Sequence, residues 1–433
     1  MARVAVFGTG YVGCVTAACL SRDGHTVVGV DIDIHKVHQI NVGRSPIAEP
    51  GLQELLAQQV AAGGMSATTD AQSAVHRTDL CLVAVGTPSV PDGSSDLRAV
   101  LSVMESVGAA LRDIERPYTV VVRSTLLPGV LEERLAPALY QAAGRTAGDG
   151  LVLCNNPEFL RETTALRDYD LPPFVVVGAA SRHDAEVVLD LYTAIDCQKI
   201  VTDPRTAAMV KYASNAFHAL KIGFANEIGT LARALGANGQ EVMEIVCADT
   251  QLNISPAYLR PGFAFGGSCL PKDVRALARF AQQQAIRTGL IESILPSNEA
   301  HLQRAFEAIR ATGARRVGLA GLSFKAGTDD LRESPQVILA EILLGRGHDL
   351  RIYDPEIHFS RLVGKNRSYV EIHLPHLSAL LVDTAEELYE HAELLVLGTD
   401  IADQLSGPQV SGIPVIDLRR DLVVAGSPTE VVV

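Results

Sequence analysis

Runs of apolar residues recur through the first 180 positions of the chain and predict strands at 3–8, 26–31, 79–88, 118–125, 150–158 and 174–178. These runs are apolar almost throughout rather than at alternate positions, which is typical of a parallel sheet covered by helices on both faces. The pattern returns near the C-terminus, with strands predicted at 315–321, 349–355, 393–400 and 414–418. We therefore expect an α/β fold with two doubly wound parallel sheets.

The residues between the two sheets have helical periodicity. No proline interrupts 205–236, so one long helix is predicted from Pro204 to Gly236. Steps of four, three, four and four place one stripe on a single face of that helix: Lys211, Asn215, His218, Ile222 and Asn226. We expect so apolar a helix to be packed on most sides, which makes the stripe a candidate site lining; the alternative is a solvated polar face.

A second helical region is predicted from Val274 to about Thr312. Long helices with a broad apolar face often form dimer interfaces, so we expect a homodimer or a higher homo-oligomer. The predicted domains are an N-terminal sheet domain at 1–202, a central helical domain at 203–300 and a C-terminal sheet domain at 301–433.

The first strand runs directly into a glycine-rich turn, Gly8-Thr9-Gly10-Tyr11-Val12-Gly13, and then into a helix. The next strand ends in Asp31, about 20 residues further on, where a carboxylate accepts hydrogen bonds from an adenosine ribose. This order predicts a Rossmann-like domain that binds NAD, and the acid disfavours the 2′-phosphate of NADP. Lys36 either contacts the cofactor or is solvated surface.

Small polar groups follow several of the other predicted strands, where the carboxyl edge of a parallel sheet meets its ligand. Thr87 and Thr125 are candidates for the cofactor side, and ordinary turn and capping chemistry is the alternative. The loop after the fifth strand carries Glu158, Arg161 and Glu162. A carboxylate in this loop would reach substrate or a catalytic water, unless these residues form a surface ion pair with one another.

Residues 261–273, PGFAFGGSCLPKD, place Cys269 between a glycine pair and a Pro-Lys-Asp segment. Gly266 and Gly267 permit positive φ and close backbone approach, so we expect an exposed turn followed by a helix that begins near Lys272. The amides of that helix and the Lys272 ammonium both favour the thiolate, the nucleophilic form of cysteine. The alternative is a buried structural cysteine.

Composition narrows the class of protein. The net charge of −13 disfavours nucleic-acid binding, and no apolar stretch reaches the length of a membrane span. Seven cysteines without CxxC pairs argue against a disulfide framework or a metal site. With no signal peptide, these features indicate a cytoplasmic protein with reduced thiols.

The C-terminal sheet domain lacks GxGxxG, so no second dinucleotide is expected there. Lys325 and Arg332 are suited to phosphate, or they form a salt-bridged loop with Asp329 and Asp330.

Motifs along nearly the whole chain resemble those of the nucleotide-sugar 6-dehydrogenases: GTGYVG, VGTPS, NPEFLRE, NEIG, FGGSCLPKD and GLSFKAGTDDLRESP. GFAFGGSCLPKD, together with His218, is similar to the branch of that family that oxidises GDP-mannose more than to the branch that oxidises UDP-glucose. The resemblance implies a four-electron oxidation of the sugar C6 alcohol to a carboxylate, with two NAD⁺ and one water. The expected product is a uronic acid precursor, here GDP-mannuronate, for a polysaccharide such as alginate.

The resemblance also implies roles for individual residues. Cys269 would form a thiohemiacetal and then a thioester, Lys211 and Asn215 would stabilise the oxyanion, and Glu162, or its rival Asp273, would activate water. The implied cofactor contacts are Gly8, Gly10, Tyr11, Val12, Gly13, Asp31, Lys36, Thr87, Thr125, Lys272 and Arg332. The implied substrate contacts are Glu162, Lys211, Asn215, His218, Asn226, Tyr258, Arg260, Phe263, Gly266 and Lys325.

One position departs from the family pattern, because Ala257 stands where close relatives have the first of two tyrosines; this puts substrate affinity in doubt more than chemistry. Three other functions stay open at this point. They are the same reaction on UDP-glucose, a two-electron hydroxyacid dehydrogenase in which Cys269 is dispensable, and an NAD-binding sensor without turnover.

Overall fold

The computed structural model describes residues 1–88, 90, 94–255, 258, 262–267, 269–323, 331–357, 364–399, 412–419 and 424–425. The chain forms two compact units, Met1–Ala219 and Leu220–Val433.

The first unit contains one large sheet. Its strands, in chain order, are β1 (Arg3–Phe7), β2 (Thr26–Val30), β3 (Met65–Thr68), β4 (Leu80–Val83), β5 (Tyr118–Val122), β6 (Leu151–Asn155), β7 (Phe174–Gly178) and β8 (Gln198–Thr202). The spatial order is β3-β2-β1-β4-β5-β6-β7-β8. Neighbouring strands are parallel except β6 and β7, which form a short antiparallel contact at Asn155 and Gly178.

Helices cover both faces of this sheet. They are α1 (Tyr11–Arg22), α2 (Ile34–Asn41), α3 (Leu52–Ala61), α4 (Ala71–His76), α5 (Arg98–Leu111), α6 (Ala136–Ala143), α7 (Ala165–Asp170) and α8 (Arg182–Leu189), with a π-helical turn at Leu131–Leu135 and a 3₁₀ turn at Asp190–Tyr192. Side chains alternate between two cores along β1: Val4 and Val6 join one buried cluster, and Ala5 and Phe7 join the other. The prediction of a doubly covered parallel sheet is confirmed.

The second unit contains a smaller sheet with strands β9 (Arg316–Ala320), β10 (Asp349–Tyr353), β11 (Leu394–Leu397), β12 (Val415–Asp417) and β13 (Val424–Ala425). The order is β10-β9-β11-β12-β13, with all pairs parallel except β12 and β13. Its helices are α10 (Gly239–Ala248), α11 (Leu270–Gln283), α12 (Gly289–Ala311), α13 (Pro335–Gly345), α14 (Gly364–His373), α15 (Leu377–Leu380) and α16 (Ala385–His391).

The long central helix, α9, spans Pro204–Ala234, so its prediction is confirmed. The expectation that it is packed on most sides is wrong for the single chain. Large apolar side chains along it are exposed, including Met209 at 54%, Leu220 at 46% and Ile222 at 64%. The helical region predicted from 274 to 312 is two helices, α11 and α12.

Within the residues that the structure describes, no helix combines the length and the apolar character needed to cross a membrane.

Candidate functional site

The first glycine-rich turn lies between β1 and α1, and the protein's own geometry accounts for Gly8 and Gly13. Gly8 has a φ of +88°, in the left-handed region that favours glycine. A Cβ on Gly13 would lie 1.8 Å from the Gly8 carbonyl oxygen, so no larger residue fits the first turn of α1. Gly10 is the N-cap of α1 without a side-chain cap, and a Cβ there would have no protein atom within 4 Å.

This turn fits a dinucleotide. The N-terminal amides of α1, where Tyr11 and Val12 are the first residues, have no side-chain cap and lie beside open space at Gly10. A helix N-terminus of this kind binds phosphate through its backbone amides and its dipole.

Asp31 follows β2 and is tied to the same turn. One carboxylate oxygen accepts hydrogen bonds from the amide and the hydroxyl of Thr9, both at 2.8 Å, and the other accepts from the amide of Asp33 at 3.0 Å. Burial opposes the charged form, but these bonds and the Lys36 ammonium at 3.8 Å outweigh it, so the pKa of Asp31 lies below its ordinary value. The turn therefore presents an ionised carboxylate, as a ribose site requires.

Thr87 and Thr125 lie after β4 and β5 at the carboxyl edge of the sheet. The Thr87 hydroxyl donates to the Thr125 carbonyl at 3.0 Å, so the structure brings these two predicted residues together.

Lys211 is a buried lysine with a defined counter-ion. It is 8% exposed, and its ammonium donates to Glu158 at 3.0 Å and lies 5.4 Å from the centre of the Phe159 ring. The second oxygen of Glu158 accepts from the Leu160 amide at 2.7 Å, which fixes the carboxylate in place. Arg161 pairs with Asp168 at 2.6 Å, so the alternative of an ion pair among Glu158, Arg161 and Glu162 is not what the structure shows.

The Glu158–Lys211 pair lines a cavity of about 390 Å³ in the first unit. Asn215 and His218, one and two turns along α9, line the same cavity. The helical spacing thus brings three residues of the predicted stripe together. Asn226 belongs to the second unit, where it lines a groove with α10.

Glu162 is exposed at a turn before α7. The following residue, Thr163, donates its amide to the Glu49 carboxylate at 2.9 Å and to the Tyr11 hydroxyl at 3.0 Å. Tyr11, predicted from the glycine turn, and Glu162, predicted from a loop about 150 residues later in the chain, therefore lie in one hydrogen-bonded region.

In the second unit, Cys269 is the N-cap of α11, which begins at Leu270, two residues before the predicted start. Cys269 is exposed, whereas Cys14, Cys19, Cys81 and Cys154 are buried. Burial raises the pKa of each of those four thiols to about 12. Cys247 is also exposed, but it lies near the end of α10.

The turn before Cys269 rests on the segment that precedes α13. A Cβ on Gly266 would lie 2.2 Å from the Glu333 carbonyl oxygen, and the Gly267 amide donates to that oxygen at 3.3 Å. The Glu333 side chain forms a two-pronged ion pair with Arg275 of α11, with contacts of 2.6 and 3.0 Å. Asn298 of α12 exchanges two hydrogen bonds of 2.8 Å with the backbone of Phe265.

Cys269, Lys272 and Arg332 line one cleft of about 910 Å³ in the second unit. The Lys272 ammonium lies 3.2 Å from the carboxylate of Asp273, and both side chains are about two-thirds exposed, at 66% and 67%. Phe263 packs against the core of this unit. Tyr258 is 86% exposed, and Ala257, Arg260 and Lys325 lie outside the described residues.

Three contacts were not predicted from the sequence: Glu158 as the partner of Lys211, Glu49 against Thr163, and Glu333 against Gly266. Glu158 carried the best signal, because it directly follows a predicted strand in the loop already selected. Glu49 and Glu333 are distant in sequence from the residues they contact and carry no local signal.

The chain matches the three domains of one family in order. Residues 2–196 match the NAD binding domain of the UDP-glucose/GDP-mannose dehydrogenase family, residues 205–300 its central domain, and residues 318–420 its UDP binding domain.

Named relatives agree with this match. A GDP-mannose 6-dehydrogenase of Pseudomonas putida is 48% identical over 396 residues, covering 92% of this chain and 90% of that protein. A UDP-glucose 6-dehydrogenase of Haloferax volcanii is 36% identical over 361 residues, covering 82% and 83%. A crystal structure of a ternary complex of GDP-mannose dehydrogenase from Pseudomonas aeruginosa superposes with a TM-score of 0.93 at 45% identity, covering 96% of each chain.

These matches, together with the glycine turn and Asp31, show that the chain belongs to the UDP-glucose/GDP-mannose dehydrogenase family and is an NAD-dependent enzyme.

Proposed function

We propose that this enzyme oxidises C6 of GDP-mannose to the carboxylate of GDP-mannuronate through a thioester at Cys269. The observation that carries the proposal is Cys269 itself, an exposed thiol at the N-cap of α11 in a cleft with Lys272 and Arg332. The overall reaction consumes one alcohol, two NAD⁺ and one water, and yields one carboxylate, two NADH and three protons.

The residues that would hold NAD⁺ in the first unit are those of the glycine turn, Asp31, Lys36, Thr87 and Thr125. When bound, NAD⁺ supplies the hydride acceptor for both oxidations. Asp31 would accept hydrogen bonds from the ribose hydroxyls, and the α1 amides would bind phosphate. By resemblance, Lys272 and Arg332 of the second unit also contact the cofactor.

Cys269 supplies the covalent step. After the first oxidation its sulfur adds to the C6 aldehyde, a C–S bond forms, and the carbonyl oxygen takes a proton to give a thiohemiacetal. The second oxidation removes a hydride from C6 and the hydroxyl proton, which leaves a thioester. Water then adds to C6, the C–S bond breaks, and the thiolate is regenerated with the carboxylate.

Lys211 and Asn215 stabilise the negative oxygen that develops on C6 in these additions. Glu158 holds the Lys211 ammonium in position through the 3.0 Å contact. Loss of one such donor typically costs about a hundredfold to a thousandfold in kcat. Glu162 orients or deprotonates the hydrolytic water, in preference to Asp273, whose carboxylate already pairs with Lys272.

The nucleotide sugar is the remaining ligand. By resemblance, its contacts are Glu162, Lys211, Asn215, His218, Asn226, Tyr258, Arg260, Phe263, Gly266 and Lys325. We propose GDP-mannose rather than UDP-glucose as the substrate because of the identities of the relatives. The GDP-mannose 6-dehydrogenase of P. putida is 48% identical to this chain, against 36% for the UDP-glucose 6-dehydrogenase of H. volcanii.

The test is the NADH yield from limiting GDP-mannose. We expect two NADH per sugar for the wild type and loss of this yield in Cys269→Ala, with Cys247→Ala, the other exposed thiol, as the matched control that keeps it. One NADH per sugar, or an unchanged yield in Cys269→Ala, would contradict the thioester mechanism. Faster oxidation of UDP-glucose than of GDP-mannose at equal concentration would contradict the choice of substrate.

We also propose that the active form is a homodimer or a higher homo-oligomer. No residue of α10 is buried in the single chain, and Ile245 of this helix is 67% exposed. Exposed apolar side chains of α9 add to this surface. A partner protomer would cover them, and sedimentation at micromolar concentration would detect it.

A further inference from the structure

Glu162 lies in a turn whose backbone is unusual. The Thr164 amide donates to the Arg161 carbonyl at 3.2 Å, which closes a four-residue turn with Glu162 second and Thr163 third. Thr163 has a φ of +70°, the sign that a type II turn requires at its third position. Glycine or asparagine normally occupies that position, so a β-branched threonine adopts this conformation only where other contacts impose it.

Asp168 accepts the Arg161 amide and the Thr164 hydroxyl on either side of Thr163, and Glu49 binds the Thr163 amide itself. Glu49 lies in the loop before α3, and its residue is 8% exposed. One carboxylate oxygen accepts the Thr163 amide at 2.9 Å, and the other accepts the Ala165 amide at 2.8 Å. Ala165 begins α7, whose N-cap residue, Thr164, makes no side-chain cap, so Glu49 takes the place of a local cap.

The same carboxylate is tied to the cofactor turn. The Tyr11 hydroxyl donates to the Glu49 oxygen that also accepts the Thr163 amide. Burial and the neighbouring Glu49 raise the pKa of Tyr11 to about 12, so this hydroxyl keeps its proton at neutral pH. Glu49 thus joins three segments: its own loop, the start of α1 and the turn that carries Glu162.

We propose that Glu49 is a positioning residue for hydrolysis of the thioester. It holds Thr163 in the left-handed conformation and thereby fixes the direction in which the turn presents Glu162 to the water. This inference rests on the proposed function, because it assigns Glu49 to one step of that reaction.

Glu49→Gln is the principal variant, since it keeps the shape of the side chain and removes its charge and one acceptor. We expect kcat to fall about tenfold to hundredfold with a KM for NAD⁺ within about twofold, as for a small misplacement of a catalytic group. Acid-quenched enzyme should carry the acyl adduct on Cys269, detected as added mass on the intact protein. Glu162→Gln should accumulate the same adduct, and Glu54→Gln, an exposed glutamate on α3, should match the wild type.

A double-variant comparison separates positioning from general destabilisation. Glu49→Gln combined with Glu162→Gln should be no slower than Glu162→Gln alone, because both act on one step. Thr163→Gly should restore part of kcat in the Glu49→Gln background, because glycine adopts a positive φ without support. A double variant whose kcat falls by the product of the two single reductions would overturn the inference. Absence of the adduct in Glu49→Gln would overturn it as well.

Two further results distinguish this inference from the proposed function. Two NADH per sugar with no adduct in Glu162→Gln would overturn the role of Glu49 and leave the four-electron oxidation standing. One NADH per sugar in the wild type would overturn both. If Glu49→Gln does not fold, Tyr11→Phe replaces it, because this variant removes one contact of the same carboxylate. Tyr11→Phe should accumulate the adduct to a smaller extent, and absence of the adduct in this variant would overturn the inference.

Discussion

The two α/β units begin in the same way and then diverge. In each, a glycine with a φ of +88° follows the first strand, Gly8 after β1 and Gly321 after β9. In each unit, an aspartate after the second strand accepts a hydrogen bond from the amide of the residue that follows this glycine. Asp31 accepts from Thr9 and Asp354 from Leu322, both at 2.8 Å. One strand-and-turn frame is thus built twice.

The two units differ in the segment that comes after this glycine. In the first unit α1 begins at Tyr11, so the helix N-terminus lies at the turn and is available to a dinucleotide. In the second unit α13 begins only at Pro335, and the intervening chain includes Glu333, whose carbonyl contacts Gly266 before Cys269. The same frame is therefore followed by a turn that fits a dinucleotide in one unit and by the segment that contacts the turn before Cys269 in the other.

The largest effect is expected from Gly13→Ala. Its Cβ would lie 1.8 Å from a backbone oxygen, so the turn must shift, and we expect about 1–3 kcal/mol of lost stability together with much weaker NAD⁺ binding. Gly10→Ala is the matched variant, because its Cβ meets no protein atom within 4 Å. Calorimetry should show weak NAD⁺ binding in both variants and a lower Tm in Gly13→Ala only; equal Tm values would contradict the packing argument.

A smaller effect is expected from Gly266→Ala, which tests whether the contact between Gly266 and Glu333 positions Cys269. The Glu333 carbonyl oxygen, at 2.2 Å from the added Cβ, must move away, and a displaced thiol typically costs up to about a hundredfold in turnover. Gly289→Ala, where a Cβ has open space, is the control in the same unit. NAD⁺ binding to the first unit's turn should be retained, and unchanged kcat in Gly266→Ala would show that the contact does not position Cys269.

The smallest effect concerns the two aspartates, whose pKa values shift in opposite directions. The pKa of Asp31 lies below the ordinary 3.8, so its contribution to the free energy of unfolding is present above that pH and is lost as the pH falls through the lowered pKa. Burial raises the pKa of Asp354, so its contribution is fully present below pH 3.8 and is lost as the pH rises through the raised pKa.

Urea unfolding between pH 3 and 7, compared with Asp31→Asn and Asp354→Asn, measures these contributions. On acidification the wild type should lose its advantage over Asp31→Asn and gain relative to Asp354→Asn. The same trend for both variants would show that the two aspartates are equivalent despite their different surroundings.

Local signals made much of the first unit predictable. The contact between Gly13 and the Gly8 carbonyl arises within one turn, and Lys211, Asn215 and His218 come together because helical spacing alone places them on one face. The sequence did not predict two strands of this sheet. The strand β3 (Met65–Thr68) is short and partly polar. The strand β8 (Gln198–Thr202) has no fully buried residue and therefore lacks the continuous apolar run of a central strand.

Long-range contacts were not predictable. Nothing near Glu49 indicates Thr163, more than 100 positions away, and nothing near Gly266 indicates Glu333. The expectation of a packed α9 failed for a related reason. Apolar periodicity shows that a face is suited to burial, but it does not say whether the same chain or another one covers it.

The distribution of thiols has a consequence for chemical labelling. Four of the seven cysteines are buried thiols with a pKa of about 12, so at neutral pH they react slowly with alkylating reagents and with peroxide. Modification is therefore directed to the exposed Cys247 and Cys269 and, to a smaller extent, to the half-buried Cys197. In a background that carries both Cys197→Ala and Cys247→Ala, one fluorophore per chain would report on Cys269 while the four buried thiols are left in place.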